Sequence, residues 1–247
     1  MPSNHQRLDQ LLVARGLAES REKAQRLILA GQVRIKGQVA DKPGRRVAPD
    51  AVVAVDAGER FVGRGGEKLE HAFQVFQPDV RGLVCLDIGA STGGFTDCLL
   101  QHGAAKVYAV DVGTGQLHWR LRNDPRVAVM DKVNARYLRP DDLPEPASFA
   151  VLDVSFISLT KVLPAVKDIL KAGARIITLI KPQFEAERRE IRRGGVVRDP
   201  EARQRAIERI RRFGETELGL QWLELCESPL RGPAGNVEFL AYWETKP

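Results

Sequence analysis

The sequence has only three cysteines in 247 residues, Cys85, Cys98 and Cys226, and no Cys-x-x-Cys pair. An odd, dispersed set excludes a disulfide framework and argues against a thiolate metal site. A reducing, cytoplasmic setting and no bound metal are therefore expected. Four scattered histidines add no metal-ligand spacing. Long apolar runs are also missing. The segment Ala174–Ile180 already contains Arg175, and nothing approaches the ~20 apolar residues of a membrane-spanning helix. The opening MPSNHQRLDQ has no apolar core, so no secretory signal is expected. What is present is 43% hydrophobic residues, enough to build a core. The length suits one large domain, or a medium domain plus a small one.

The net charge of +6 is unevenly spread. Residues 1–60 carry eleven basic and seven acidic side chains, so an electropositive N-terminal module is expected to favour a polyanion such as nucleic acid. Leu8, Leu11 and Leu12 fall at helical spacing. Ser20 can cap a second helix whose apolar stripe is Ala24, Leu27 and Ile28, with Gly31 at its end. Val33 and Ile35 alternate with Arg34 and Lys36, as in a strand with one apolar and one basic face. Val39, Val47, Val53 and Val55 continue short strands. The stretch Arg7-Leu8-Asp9, Ser20 to Ala24, Leu27-Ile28 and Gly31 to Ile35 resembles the S4-like RNA-binding domain. That resemblance implies structured RNA as ligand. The candidate RNA contacts are Arg7, Arg15, Arg21, Lys23, Arg26, Arg34 and Lys36. Phosphate contacts of this kind give affinity with little sequence information.

From about residue 80, strand-like and helical segments alternate. Strands are expected at 83–88, 106–111, 127–130, 149–154 and 175–180, with helices near 93–102, 114–122, 158–171 and 200–218. Two late strands, 222–226 and 237–243, have no helix between them. This pattern predicts an α/β, doubly wound seven-stranded sheet of the Rossmann-like methyltransferase type, ending in an antiparallel strand. The predicted division is 1–59 for the small α+β domain, 60–66 for a glycine-rich hinge, and 67–247 for the larger domain.

The first strand of the larger domain runs into Asp87-Ile88-Gly89-Ala90-Ser91-Thr92-Gly93-Gly94-Phe95. Strand, glycine turn and helix make a nucleotide-type site. The spacing is neither the dinucleotide fingerprint nor a P-loop. Asp87, two residues before the first glycine, instead suits the ammonium of S-adenosylmethionine. Asp111 closes the second strand and can accept ribose hydroxyls, and Asp131 closes the third and can take an adenine amino group. Lys181 follows an apolar strand, where lost hydration makes it a plausible base. Asp153 ends a neighbouring strand and could pair with it. Glu238 lies near the start of the last strand, and Lys68 opens the domain's first helix. The three cysteines read as packing residues.

Residues 61–247 resemble the FtsJ-like 2′-O-ribose methyltransferases, whose Lys-Asp-Lys-Glu tetrad matches Lys68, Asp153, Lys181 and Glu238. An S4-like domain joined to this catalytic domain resembles the TlyA (hemolysin A) family. One departure is Ser91, where glycine is usual. The resemblance implies methylation of a ribose 2′-OH in ribosomal RNA, with S-adenosylmethionine as donor and ribosomal RNA or ribosomal subunits as partner. It assigns Lys181 as base, Asp153 as its orienting partner, and Lys68 and Glu238 as positioning groups. Arg64, with Arg192 and Arg193 in the 187–198 loop, is added to the RNA contacts, the loop reading as a mobile lid. A non-catalytic ribosome-assembly factor is the alternative. Membrane lysis, suggested by the family's other name, lacks a long amphipathic basic helix.

Overall fold

The computed structural model describes residues 5–56, 60–191 and 194–246, and divides between residues 60 and 61 into two compact units. The first unit contains β1 (Gln6–Arg7), α1 (Leu8–Ala14), α2 (Arg21–Leu29), β2 (Val33–Ile35), β3 (Gln38–Val39), β4 (Arg46–Val47) and β5 (Val53–Val55). Ser20 Oγ accepts the Lys23 N–H, and Gly31 takes the left-handed φ of +71° that closes α2. Leu8, Leu11, Leu12, Ala24, Ile28, Val33, Ile35 and Val47 make the core. β2 pairs antiparallel with β3 and β5, which turns Val33 and Ile35 inward.

The second unit begins earlier than the expected hinge allows. Phe61 is buried and joins the main core, and the Val62 N–H donates to Asp97 Oδ2 at 2.9 Å. A Cβ on Gly66 would collide with the Phe61 ring. Residues 61–66 are thus packed chain rather than linker, because Phe61 needs burial and only glycine fits beneath it.

The elements that follow are α3 (Gly65–Phe76), β6 (Val84–Ile88), α4 (Gly94–Gln101), β7 (Lys106–Asp111), α5 (Trp119–Arg122), β8 (Val127–Asp131), β9 (Ala147–Leu152), α6 (Leu163–Asp168), β10 (Leu170–Ile180), α7 (Pro182–Glu185), α8 (Pro200–Arg212), β11 (Gln221–Glu227) and β12 (Phe239–Glu244). They build a seven-stranded sheet in the order β11-β12-β10-β9-β6-β7-β8. β12 lies antiparallel between β10 and β11. Two apolar layers cover the sheet faces, one around Phe73, Leu99 and Phe149, the other around Leu86, Leu163 and Trp243.

Two elements depart from expectation. The helix near 114–122 shrinks to α5, because Gly115 at φ +70° breaks the chain and His118 caps a late start. The helix near 158–171 splits into a short 3-10 turn and α6, and β10 starts at Leu170 with a bulge before Arg175. No helix among the described residues is long and apolar enough to cross a membrane.

Candidate active site

Sheet register assembles the site at the carboxyl ends of the parallel strands. Ile88 pairs with Leu152, and Thr178 with Leu152. Asp153 therefore emerges beside the glycine turn, with its N–H donating to Ile88 O at 2.9 Å. Ile180 pairs with Phe239, which sets Lys181 and Glu238 next to one another one step further on. Tight packing fixes this corner. Gly89 sits at φ +84°, and a Cβ there would strike the Asp153 carbonyl oxygen.

Lys181 Nζ lies 2.6 Å from Asp153 Oδ1 and donates to Ser155 Oγ at 2.8 Å. The amine is buried and has both a carboxylate and a hydroxyl partner. Lys68, on the first turn of α3, lies 2.5 Å from Glu238 Oε2. The four residues are thus two buried or nearly buried ion pairs drawn from α3 and the ends of three adjacent strands.

A cavity of about 490 Å³ opens beside Asp153, lined also by Gly89, Ser91, Asp111, Asn134 and Ser155 among others. That volume falls within the range of small-ligand pockets, roughly 300–1,000 Å³. A smaller recess of about 110 Å³ shares Gly89, Ser91 and Asp153 and adds Ala90, Thr92, Gly94 and Phe95. Asp111 Oδ2 accepts the Ser91 N–H at 2.8 Å, and its Oδ1 accepts the Gly113 N–H at 2.7 Å. Ser91 holds φ +49°, so the residue that departs from the usual glycine occupies a glycine-like conformation. Gly93, at φ +98°, caps α4.

Asp87 and Asp131 lie at the strand ends expected of them but line neither recess. Asp87 is fully buried. Its Oδ2 accepts from Thr96 Oγ1 at 2.6 Å, while its Oδ1 has no partner among the described residues. Burial pushes its carboxyl up to about 7. Asp131 does not line the cavity either. Arg122 lies 2.5 Å away, the Gly115 N–H donates to it, and this guanidinium holds the carboxyl below its usual range.

Sequence reading missed the apolar wall of Val112, Val133, Ile157 and Val162 and the polar Asn134. It also missed Phe156 at the cavity rim. Phe156 is 92% exposed, at φ +63°, with its ring 5.4 Å from Phe184. Its position a few residues beyond a strand-end aspartate is the available signal.

The expected RNA contacts divide. In the first unit, Asp9 is wholly buried and receives Arg7, Arg21 and Gln25. The paired guanidiniums hold its carboxyl far below the usual carboxylate range. Arg15 donates to the Pro49 and Ala51 carbonyls, and Arg34 pairs with Asp56 at 2.8 Å. Arg7, Arg15, Arg21 and Arg34 therefore serve the fold's own groups. Lys23, Arg26 and Lys36 make no ion pair among the described residues, and all three are exposed. Arg64 is exposed at the start of α3. Arg192 and Arg193 lie outside the described residues. On the described parts of the 187–198 segment, Asn236 accepts the Val197 N–H and donates to Gly195 O, each at 2.9 Å, and Arg205 holds Glu190 at 2.8 Å.

Comparison with known proteins identifies both parts of the chain. The FtsJ-like methyltransferase family matches residues 61–245, and the S4 domain matches residues 6–53. The 16S/23S rRNA (cytidine-2′-O)-methyltransferase TlyA of Mycobacterium tuberculosis is 47% identical over 97% of this chain and 90% of its own. Hemolysin A of Brachyspira hyodysenteriae is 43% identical over 96% of this chain and 99% of its own. A solved hemolysin-like chain from Streptococcus thermophilus superposes with a TM-score of 0.75 at 44% identity, covering 99% of this chain and 90% of that one. This chain belongs to the TlyA family, in which an S4 domain is joined to an FtsJ-like methyltransferase domain.

Proposed function

We propose that this chain methylates the 2′-OH of a cytidine ribose in ribosomal RNA. The observation that carries the reading is the pairing of Lys181 with Asp153, which lines a ligand-sized cavity, together with the second pair, Lys68 with Glu238. Family membership implies S-adenosylmethionine as cofactor, which supplies an electrophilic methyl group when bound. The residues present fit it. Asp111 offers carboxylate oxygens to sugar hydroxyls, the apolar wall of Val112, Val133 and Ile157 suits a purine face, and the glycine turn lets backbone come close. The buried carboxyl of Asp87 supports the site through Thr96 on α4 rather than from the cavity wall.

In this reading Lys181 removes or shares the ribose hydroxyl proton as the oxygen attacks in line. Asp153 and Ser155 hold the amine, so its remaining position faces the incoming hydroxyl. Lys68 and Glu238 fix the local field and position the sugar, a preorganised role. Phe156 offers an exposed ring on which a base can stack. Lys23, Arg26 and Lys36 supply phosphate contacts. The test is tritiated-methyl transfer to separated ribosomal subunits, with mapping of the modified ribose. Lys181→Ala should lose about 10²–10⁴-fold in rate while still binding the cofactor. A Lys181→Ala protein with undiminished turnover overturns the assignment of the base.

A further inference from the structure

The expectation of no metal rests on how histidine and cysteine are spaced along the chain. The fold gathers a donor set that this spacing hides. Glu70 on α3, Cys98 on α4 and His102 at the end of α4 bring one ligand atom each within 4.8 Å of one another. We propose that these three residues bind a thiophilic divalent cation of the zinc class, at a site separate from the methyl-transfer cavity.

Four observations carry the inference. Cys98 and His102 are four residues apart, so both project from the same side of α4. Glu70 faces them across the packed α3–α4 contact. His102 Nε2 lies 2.7 Å from Glu70 Oε2, and Cys98 Sγ lies 3.9 Å from the same oxygen. An ion pair needs only the first two residues; the thiol aimed at the same atom adds a third donor. Tetrahedral zinc bonds sulfur at about 2.3 Å and nitrogen or oxygen at about 2.0–2.2 Å, so its ligand atoms stand roughly 3–4 Å apart. A small opening of the His102–Glu70 contact is all that metal entry requires.

The donor chemistry selects the ion. Sulfur, imidazole and carboxylate together suit zinc and disfavour magnesium or calcium, which take oxygen ligands. Outer contacts already orient the ligands, as metal sites require. Gln74 Nε2 donates to the other carboxylate oxygen of Glu70 at 3.4 Å, and the Phe73 ring lies 4.3 Å from the His102 ring. Access exists too, because His102 forms part of the wall of a cleft of about 460 Å³. Three protein ligands would leave the fourth position to water. Binding releases the Cys98 thiol proton to solvent, along with any proton shared between His102 and Glu70, and no oxidation is involved. Glu70 is two residues from Lys68, and α4 starts at Gly94 of the glycine turn. A bound ion would therefore clamp the two helices that hold these groups.

The experiment uses the full chain, stripped with chelator and titrated with Co²⁺ and then Zn²⁺. The expected result is uptake of one Co²⁺ per chain with a thiolate-to-cobalt absorption band that Zn²⁺ abolishes. Cys98→Ser should lose the band, whereas Cys85→Ala and Cys226→Ala should retain it. His102→Ala should weaken uptake by about 10-fold or more. Zn²⁺ should raise the Tm of the unmodified chain and leave that of Cys98→Ser unchanged. Failure to take up Co²⁺, uptake without a thiolate band, or a band that survives in Cys98→Ser overturns the proposal. The first two of these outcomes are read on the unmodified chain alone, so they hold even if no variant folds.

Discussion

Lys68 and Glu238 meet as an ion pair of 2.5 Å across 170 residues of sequence. Glu238 is almost wholly buried, and the Lys68 side chain is only 12% exposed. Removing one partner strands the other charge away from water. Glu238→Ala should cost about 3–5 kcal/mol, measured by denaturant unfolding. Lys68→Met combined with Glu238→Leu should recover most of that stability, because apolar pairs replace buried ion pairs well. Methyl transfer should stay lost in both, which separates a stabilising role from a catalytic one.

Phe156 inverts this relation, since it contributes to the surface and little to the core. Phe156→Ala should change stability by less than about 1 kcal/mol, because the exposed ring gives up little burial and a left-handed φ is relieved only in part. Its affinity for RNA should fall by about 5–150-fold if a base stacks there, corresponding to ~1–3 kcal/mol. Filter binding of ribosomal RNA fragments alongside thermal unfolding checks both halves.

Asp87 makes stability depend on pH with a definite sign. Its carboxyl titrates near 3.8 when unfolded and is raised to about 7 in the fold. Between those values the folded chain binds more protons than the unfolded chain. This residue's contribution is therefore fully present below about pH 4, declines as pH rises, and is exhausted above about 7. Asp87→Asn should flatten that part of the profile. Tm measured from pH 4 to 8 in both proteins should converge in slope above pH 7 and differ below it.

Gly66→Ala tests where the second unit begins. A flexible hinge would tolerate alanine, or even gain about 0.4–1 kcal/mol from it. Packing against the Phe61 ring predicts a loss instead, of about 1–3 kcal/mol, as overpacked cores show. A lowered Tm with unchanged RNA affinity is the expected outcome.

Much of this architecture is legible in the sequence because period and end signals coincide. Alternating apolar runs ending in Asp87, Asp111 and Asp131 announce parallel strands, and Ser20 announces a helix start that its hydroxyl does cap. Register then follows, since a parallel sheet brings strand ends side by side and Asp153 reaches Lys181. Three kinds of information stay hidden. Charge cancellation needs tertiary contact: nothing local says that Asp9 is buried and, besides its neighbour Arg7, claims Arg21 and Gln25 from α2. Anchoring by one aromatic residue is masked by glycines, so the stretch after Arg60 reads as a hinge although Phe61 is core. The meeting of Glu70 with Cys98 and His102 depends on how two helices rotate against each other, which the sequence of neither helix encodes alone.

The placement of β12 has a consequence for biosynthesis. The sheet stays unfinished until residues 239–244 slip between two strands made before them, and Glu238 arrives with that segment. A nascent chain on the translating ribosome would therefore display two bare strand edges and a solitary Lys68 until that segment has emerged. Activity should switch on only once that segment is in place, whereas the S4 module, whose strands and helices all lie within residues 6–55, can fold before it is made.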